Sequence, residues 1–326
     1  MLFELMSWCF DDYKKAVLND NFFCHVEAMF PPYSTQSDPE KEAKERIKLL
    51  KEKYFIAGGN ARVVFEASAA MAIEELDKAI MEAPNLEPYL KGFAGDSSVA
   101  VNRLLAWYVA PLGHDVRLVS NYVVRHFATV MGPCLVQNFV SACNVNPSMN
   151  GFLLEAWFFA ELSRNDLAWG VRVGNIVEYH SWERSNIVFF DPEKQPIGIS
   201  LDVPKWMAPV KWNQGGYDAV FIDKTAQLVR FVHVMHAEYQ TFHAKHFIAL
   251  LNRLIACDMI QVAVIELCFV VQMARLVTFE LPVSKDDFKK IVVEVTSSSS
   301  HATQDQTSKD CRANVMVIGV DYEIFY

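Results

Sequence analysis

The chain has 326 residues, of which 52% are hydrophobic, 13% aromatic and only 21% charged, a length and composition that suit two domains with substantial cores and exclude long intrinsic disorder. Its formal net charge of -9 argues against a protein that grips polyanions over its whole surface, since phosphate neutralisation relies on Lys and Arg, while leaving room for a local basic groove. The seven cysteines are scattered and contain no CxxC pair, so they read as reduced, mostly core thiols and exclude the usual zinc-ribbon and thioredoxin patterns.

The opening residues, MLFELMSWCFDDYKK, place no basic stretch ahead of an apolar run and show no small-residue cleavage signature, so no export signal is read there. The longest apolar run, Met259 to Val271, is broken by Gln261 and Glu266 and falls well short of a bilayer span. Membrane insertion is not expected.

Residues 1–130 read as mainly helical. Asp38 and Pro39 form an N-cap and first turn, and EKEAKERIKLLKEK then sets Glu40/Lys44, Lys41/Glu45 and Glu42/Arg46 at i,i+4, the pattern of a solvated helix face. YFIA is either a short strand or the end of that helix before Gly58-Gly59, after which Asn60 caps one helix through ARVVFEASAAMAIEELDKAI. Pro84, Pro88, Gly92 and Gly95 mark a loop, and NRLLAWYVAP and RLVSNYVVRHFATVM carry mixed helix or strand patterns.

A different texture begins near Asn150. GFLLEAWFFAELSR reads as a buried helix, and WGVRVGN, IVEYHSW, NIVFFD and YDAVFI read as strands. DAVFID and LVRFVHVM form a hairpin around a Lys224–Gln227 loop, HAEYQTFHAKHFIALLNRLIAC is a helix, and MIQVAVIELCFVV is a central strand. This succession describes an α/β domain. Ser297 to Ser300 and the polar residues through Lys309 read as an exposed loop before a last strand, NVMVIGVDYEIFY.

The most specific constellation is Glu155 within the apolar helix, Asp218 on the strand after Gly215-Gly216, and His233-Val234-Met235 on the hairpin partner. Counting outward from the loop, Asp223 faces Leu228 and Asp218 faces His233, so carboxylate and imidazole become neighbours. His233 and Met235 share a face by strand alternation. This is the layout of a restriction-endonuclease core, in which a helix carboxylate and a strand Asp hold a divalent metal such as Mg2+ that polarises the phosphate and generates hydroxide from water. Glu155, Asp218 and His233 are therefore the candidate catalytic residues, with Glu155 and Asp218 as metal ligands. A satisfied buried carboxylate is the competing reading of Glu155, and a plain strand start that of Asp218.

Such a core usually continues with an acid or amide, one residue, then Lys, positions that here hold His233 and Met235. Methionine cannot stabilise a pentavalent phosphate, whereas His can ligate metal or act as a base. Lys245 and Lys211 are candidate substitutes for the absent lysine. Lys205, Lys211, Lys224, Arg230 and Lys245 are candidate phosphate contacts, with scattered surface charge as the alternative. Histidines 233, 236, 243 and 246 invite a zinc reading that fits poorly, because His233 lies on a strand and no cysteine completes the set. Ser/His/Asp hydrolysis lacks a G-x-S-x-G elbow, and ATP binding lacks G-x-x-x-x-G-K-[ST], of which GFAGDSS is a superficial echo.

SWCFDDYKKAVLNDNF, YFIAGGNARVVFEA, KWNQGGYDAVFID and LVRFVHVMHAEYQTFHAKHF occur in an order that resembles the Crinkler effectors of oomycetes and the related retrotransposon hot spot proteins of trypanosomes. The resemblance spans most of the chain. It implies a helical segment over 1–130, similar to the end of an AAA-like ATPase module beyond its Walker motifs, a restriction-endonuclease-like domain over 131–295, and a polar loop with a terminal strand over 296–326. Arg62 in GGNAR would then approach a nucleotide held by a preceding module, or be a helix-start Arg with no ligand. The implied function is an effector module that engages DNA in a host cell and host nucleus after secretion, with metal-dependent phosphodiester cleavage weak or lost. A catalytically inactive scaffold that binds a host protein is the alternative. The family's LFLAK-type translocation signal is not seen in this sequence.

Overall fold

The structure, a computed structural model, describes residues 6–32, 38–83, 99–110, 113–133, 136, 150–192, 199–210, 217–235, 244–256, 262–299 and 311–322. Its contacts divide the chain into one compact unit of Met1–Val130 with Ser141–Asn144 and another of Met131–Val140 with Val145–Tyr326. The architecture is mixed α/β with a helical N-terminal part. Among the described residues no helix is long and apolar enough to cross a membrane, and Cys9, Cys24, Cys268 and Cys311 are free thiols.

In the first unit, α1 (Phe10–Val17), α2 (Asp20–Val26), α3 (Pro39–Ala57), α4 (Ala61–Glu66), α5 (Ala69–Glu82) and α6 (Val99–Leu104) precede β1 (Leu105–Ala110), β2 (Gly113–Leu118) and α7 (Asn121–Met131). The two strands form an antiparallel hairpin with Leu105 opposite Leu118. Helix starts are set by side chains that accept orphan amides: Asn19 from Phe22, Asp38 from Glu40, Asn60 from Val63 and Ser68 from Met71. The last of these divides the single helix expected after Asn60, because Ala67 and Ser68 are extended and Ser68 starts α5 afresh.

YFIA proves to be the final turn of α3, ended by Gly58 at φ 52. A Cβ on Gly58 would lie 1.7 Å from the Val119 carbonyl oxygen, and that oxygen accepts the Gly59 N–H at 2.9 Å. Nor is α3 a wholly solvated face. Arg46 pairs with Glu42 as expected, but it is largely buried, reaches Asp20 at 2.7 Å and lies 4.4 Å from the Phe23 ring centre. Lys53 is only 2% exposed, donates to the Met29 carbonyl at 2.7 Å and lies 4.5 Å over Phe30. Burial lowers its pKa to about 8.

The second unit contains α8 (Asn150–Arg164), β3 (Leu167–Val173), β4 (Ile176–Trp182), β5 (Ile187–Phe190), β6 (Lys205–Pro209), β7 (Ala219–Asp223), β8 (Leu228–Val234), α9 (Ala244–Ala256), β9 (Val264–Gln272), α10 (Lys285–Ser299) and β10 (Arg312–Val320). They build an eight-stranded sheet in the order β4-β3-β10-β9-β8-β7-β6-β5. The β8-β9-β10 block is parallel, as is β5-β6, and the other pairings are antiparallel. Val229, Phe231, Ile265, Leu267 and Phe269 alternate onto one face and pack into an apolar core with Phe247 of α9 and Phe288 of α10. Phe158 of α8 meets Trp182 and Trp206, and Trp206 meets Phe221, which alternates onto the opposite face.

Two features of this half depart from the sequence reading, and the sheet order settles a position that reading left open. The five-residue β6 was not anticipated, because Pro204 and Pro209 make its sequence read as punctuation. Ser297 to Ser299 are the last residues of α10, not a loop; residues 300–310 lie outside the described residues. The terminal strand sits inside the sheet, between β9 and β3.

Candidate functional site

The β7–β8 hairpin turns through Lys224–Gln227 with Asp223 opposite Leu228, and its ladder runs to Ala219 opposite Val232. Beyond that point the Asp218 N–H donates to the Val232 carbonyl at 2.7 Å. Two consecutive residues, Asp218 and Ala219, therefore address Val232, the arrangement of a bulge that re-aims a side chain at a strand end. The Asp218 Oδ2 accepts the Val234 N–H at 2.7 Å and lies 2.9 Å from His233 Nδ1. An ionised carboxylate only accepts, so Nδ1 is the donor and Nε2 is left as the ring nitrogen that can serve a ligand.

Glu155 comes from α8, whose residues Ala156 to Ala160 are all buried. Its partly buried carboxylate lies close enough for its charge to act on His233. The burial of His233 opposes the imidazolium. The Asp218 charge, the Asp218 hydrogen bond and the Glu155 charge together outweigh it, so the His233 pKa is raised. The structure thus gathers Glu155, Asp218 and His233 in one neighbourhood. The Val234 amide as an anchor of Asp218 was not foreseen, since it depends on the bulge.

The companion residues separate. Met235 is 1% exposed and belongs to the apolar core, with its N–H donated to the Val270 carbonyl at 2.8 Å. Arg230 is not a surface phosphate contact: it pairs with Glu266 at 2.6 Å and lies over the rings of Trp182 and Phe221. Lys205 donates to the Ser200 carbonyl at 2.6 Å. Lys224 is in the hairpin loop, at the end of β7 opposite Asp218, and Lys245 is exposed on the first turn of α9. Lys211, His236 and His243 lie outside the described residues. In the first unit, Arg62 is exposed and paired with Glu66 at 3.0 Å.

Sequence reasoning also passed over Arg253 on α9, whose Nε and Nη1 are buried without a hydrogen-bond partner among the described residues. Its positive charge acts on the phenol of Tyr217, the residue before Asp218, although burial dominates and pushes that pKa up. The available signal was a lone charge in the apolar stretch LLNRLIAC.

Among the described residues no three His, Cys, Asp or Glu side chains form a group that could hold a metal ion. Both carboxylates, Glu155 and Asp218, act on His233, and Mg2+ sites in general draw on one or two carboxylates together with substrate phosphates and water. No family model, curated protein or solved structure matches this chain.

Proposed function

We propose that the second unit is a restriction-endonuclease-like domain of a Crinkler-type effector, and that Glu155, Asp218 and His233 form a weakened phosphodiesterase site that engages DNA. The observation that carries the reading is the Asp218 carboxylate, fixed by Val234 and His233. Its setting supports it: α8 supplies Glu155, β6, β7 and β8 form an antiparallel meander, and α9 crosses over to a parallel β9.

In this reading Glu155 and Asp218 hold Mg2+, which when bound supplies Lewis-acid polarisation of a phosphate and a hydroxide from water. Asp218 orients the imidazole through Nδ1, and His233 presents Nε2 to receive a proton or to donate a hydrogen bond to phosphate oxygen. Nothing in the Met235 side chain replaces the lysine expected at that position, so cleavage is slow. Secretion and action in a host nucleus belong to the same proposal and rest on the family resemblance.

Plasmid DNA incubated with the purified chain and Mg2+ or Mn2+ tests this reading. Slow cutting that disappears in Glu155→Gln and Asp218→Asn is the expected result. The burial of Met235 in the core favours a second reading, a catalytically silent scaffold that binds a host protein. Folded protein that neither cuts nor binds DNA would decide for that scaffold.

A further inference from the structure

β4 is an edge strand with few of the features that normally discourage pairing. Its seven residues, IVEYHSW, pair residue for residue with β3 and contain no Pro, Lys or bulge. Ile176 is 61% exposed and Tyr179 is 66% exposed. Among the described residues no strand pairs with the outer side of β4.

The hairpin geometry identifies which backbone groups face outward. Gly174 and Asn175 form the two-residue loop, with φ 62 at Gly174 and no positive φ at Asn175, the pattern of a type II′ turn. The closing pair Val173–Ile176 exchanges hydrogen bonds, and by alternation so do Val171–Glu178 and Trp169–His180. That leaves the N–H and C=O of Val177, Tyr179 and Ser181 directed away from β3.

A second strand can use those groups only if its own outward residues meet them. For two antiparallel copies of β4, the two-fold centre can then be Glu178, Tyr179 or His180. Centring on Glu178 opposes two carboxylates, and centring on His180 opposes two imidazoles. Centring on Tyr179 pairs Glu178 with the second copy's His180, twice, at positions that exchange no backbone hydrogen bonds and so bring their side chains closest. The same register sets the exposed Ile176 opposite Trp182 and joins the two Tyr179 residues by a pair of backbone hydrogen bonds.

We propose that β4 is a self-association edge, on which a second copy of this chain pairs its own β4 antiparallel about a two-fold axis at Tyr179. The contact is isologous. A strand edge alone is smaller than a standard interface, so the association is weak and depends on concentration.

Sedimentation of the full chain between roughly 1 and 300 µM covers the range of weak self-association. The mass is expected to rise toward twice that of one chain. Glu178→Lys, which opposes His180 with a cation, and His180→Glu, which opposes two carboxylates, should each stay monomeric over that range. An equimolar mixture of the two should associate again, because each altered residue then meets an opposite charge. In the unmodified chain, amide exchange at Val177, Tyr179 and Ser181 should slow with concentration. A monomer throughout, association of either variant alone as strong as that of the unmodified chain, or a mixture that stays monomeric overturns the proposal.

Discussion

Asp218 occupies with its side chain a backbone position on Val234: the carboxylate accepts the Val234 N–H at 2.7 Å, beyond the last ladder pair of β7 and β8. Position and charge are thereby coupled, because the oxygen that extends the end of the β7–β8 ladder also receives His233. Asp218→Ala leaves both donors without this acceptor and should destabilise the second unit by about 2 kcal/mol, whereas Asp218→Asn, which keeps an acceptor oxygen, should lose less. Urea unfolding of the two variants measures the difference, and equal losses would remove the hydrogen-bond explanation.

The raised His233 pKa gives this contact a pH signature. Its stabilisation is fully present below the unfolded value of about 6.5 and is lost as pH rises through the raised folded value. Stability of the second unit should therefore fall across that interval by at most about 1.4 kcal/mol per pH unit. His233→Asn should flatten the profile. An unchanged slope in the variant would show that other groups control it.

Lys53 predicts the opposite slope in the first unit. Burial lowers its pKa from 10.5 to about 8. Between those values the unfolded chain holds a proton that the folded one has released, so stability rises with pH by up to about 1.4 kcal/mol per unit. Lys53→Met should abolish the rise. Thermal melts at pH 7.5, 8.5 and 9.5 suffice to read it, using about one pH unit per step.

Two glycines should respond unequally to alanine. Gly58→Ala forces a side chain into the left-handed region and onto the Val119 backbone, so a loss above about 3 kcal/mol or failure to fold is expected. Gly319→Ala meets mainly the Met273 sulfur, 2.9 Å from the new Cβ, and Leu276 at 3.2 Å; the mobile thioether can yield, so the loss should be about 1–2 kcal/mol. Comparable melting temperatures for the two would refute the distinction between backbone and side-chain obstruction.

The neighbourhood of Asp218 and His233 was legible because a four-residue loop fixes the hairpin register, and strand counting does the rest. The bulge was not, since it depends on where the β7 ladder ends. Asp38 and Asn60 marked helix starts correctly because their capping is local, yet Ser68 broke a continuous alanine-rich pattern that propensity alone would extend. Burial of Arg46 and Lys53 escaped sequence reading for a different reason: their partners, Asp20 and the Met29 carbonyl, come from earlier helical segments. Glu155 was identifiable as a carboxylate in an apolar helix, while its approach to His233 required the helix and sheet together.

The place of β10 has a consequence for how the second unit assembles. Although it is the last described strand in sequence, it lies between β3 and β9. Until residues 312–320 emerge from the ribosome, β3 lacks its bridge to β9, and the β3–β4 hairpin cannot join the rest of the sheet. Sheet completion therefore waits for these residues, leaving the edge of β9 exposed to non-native pairing until they are available.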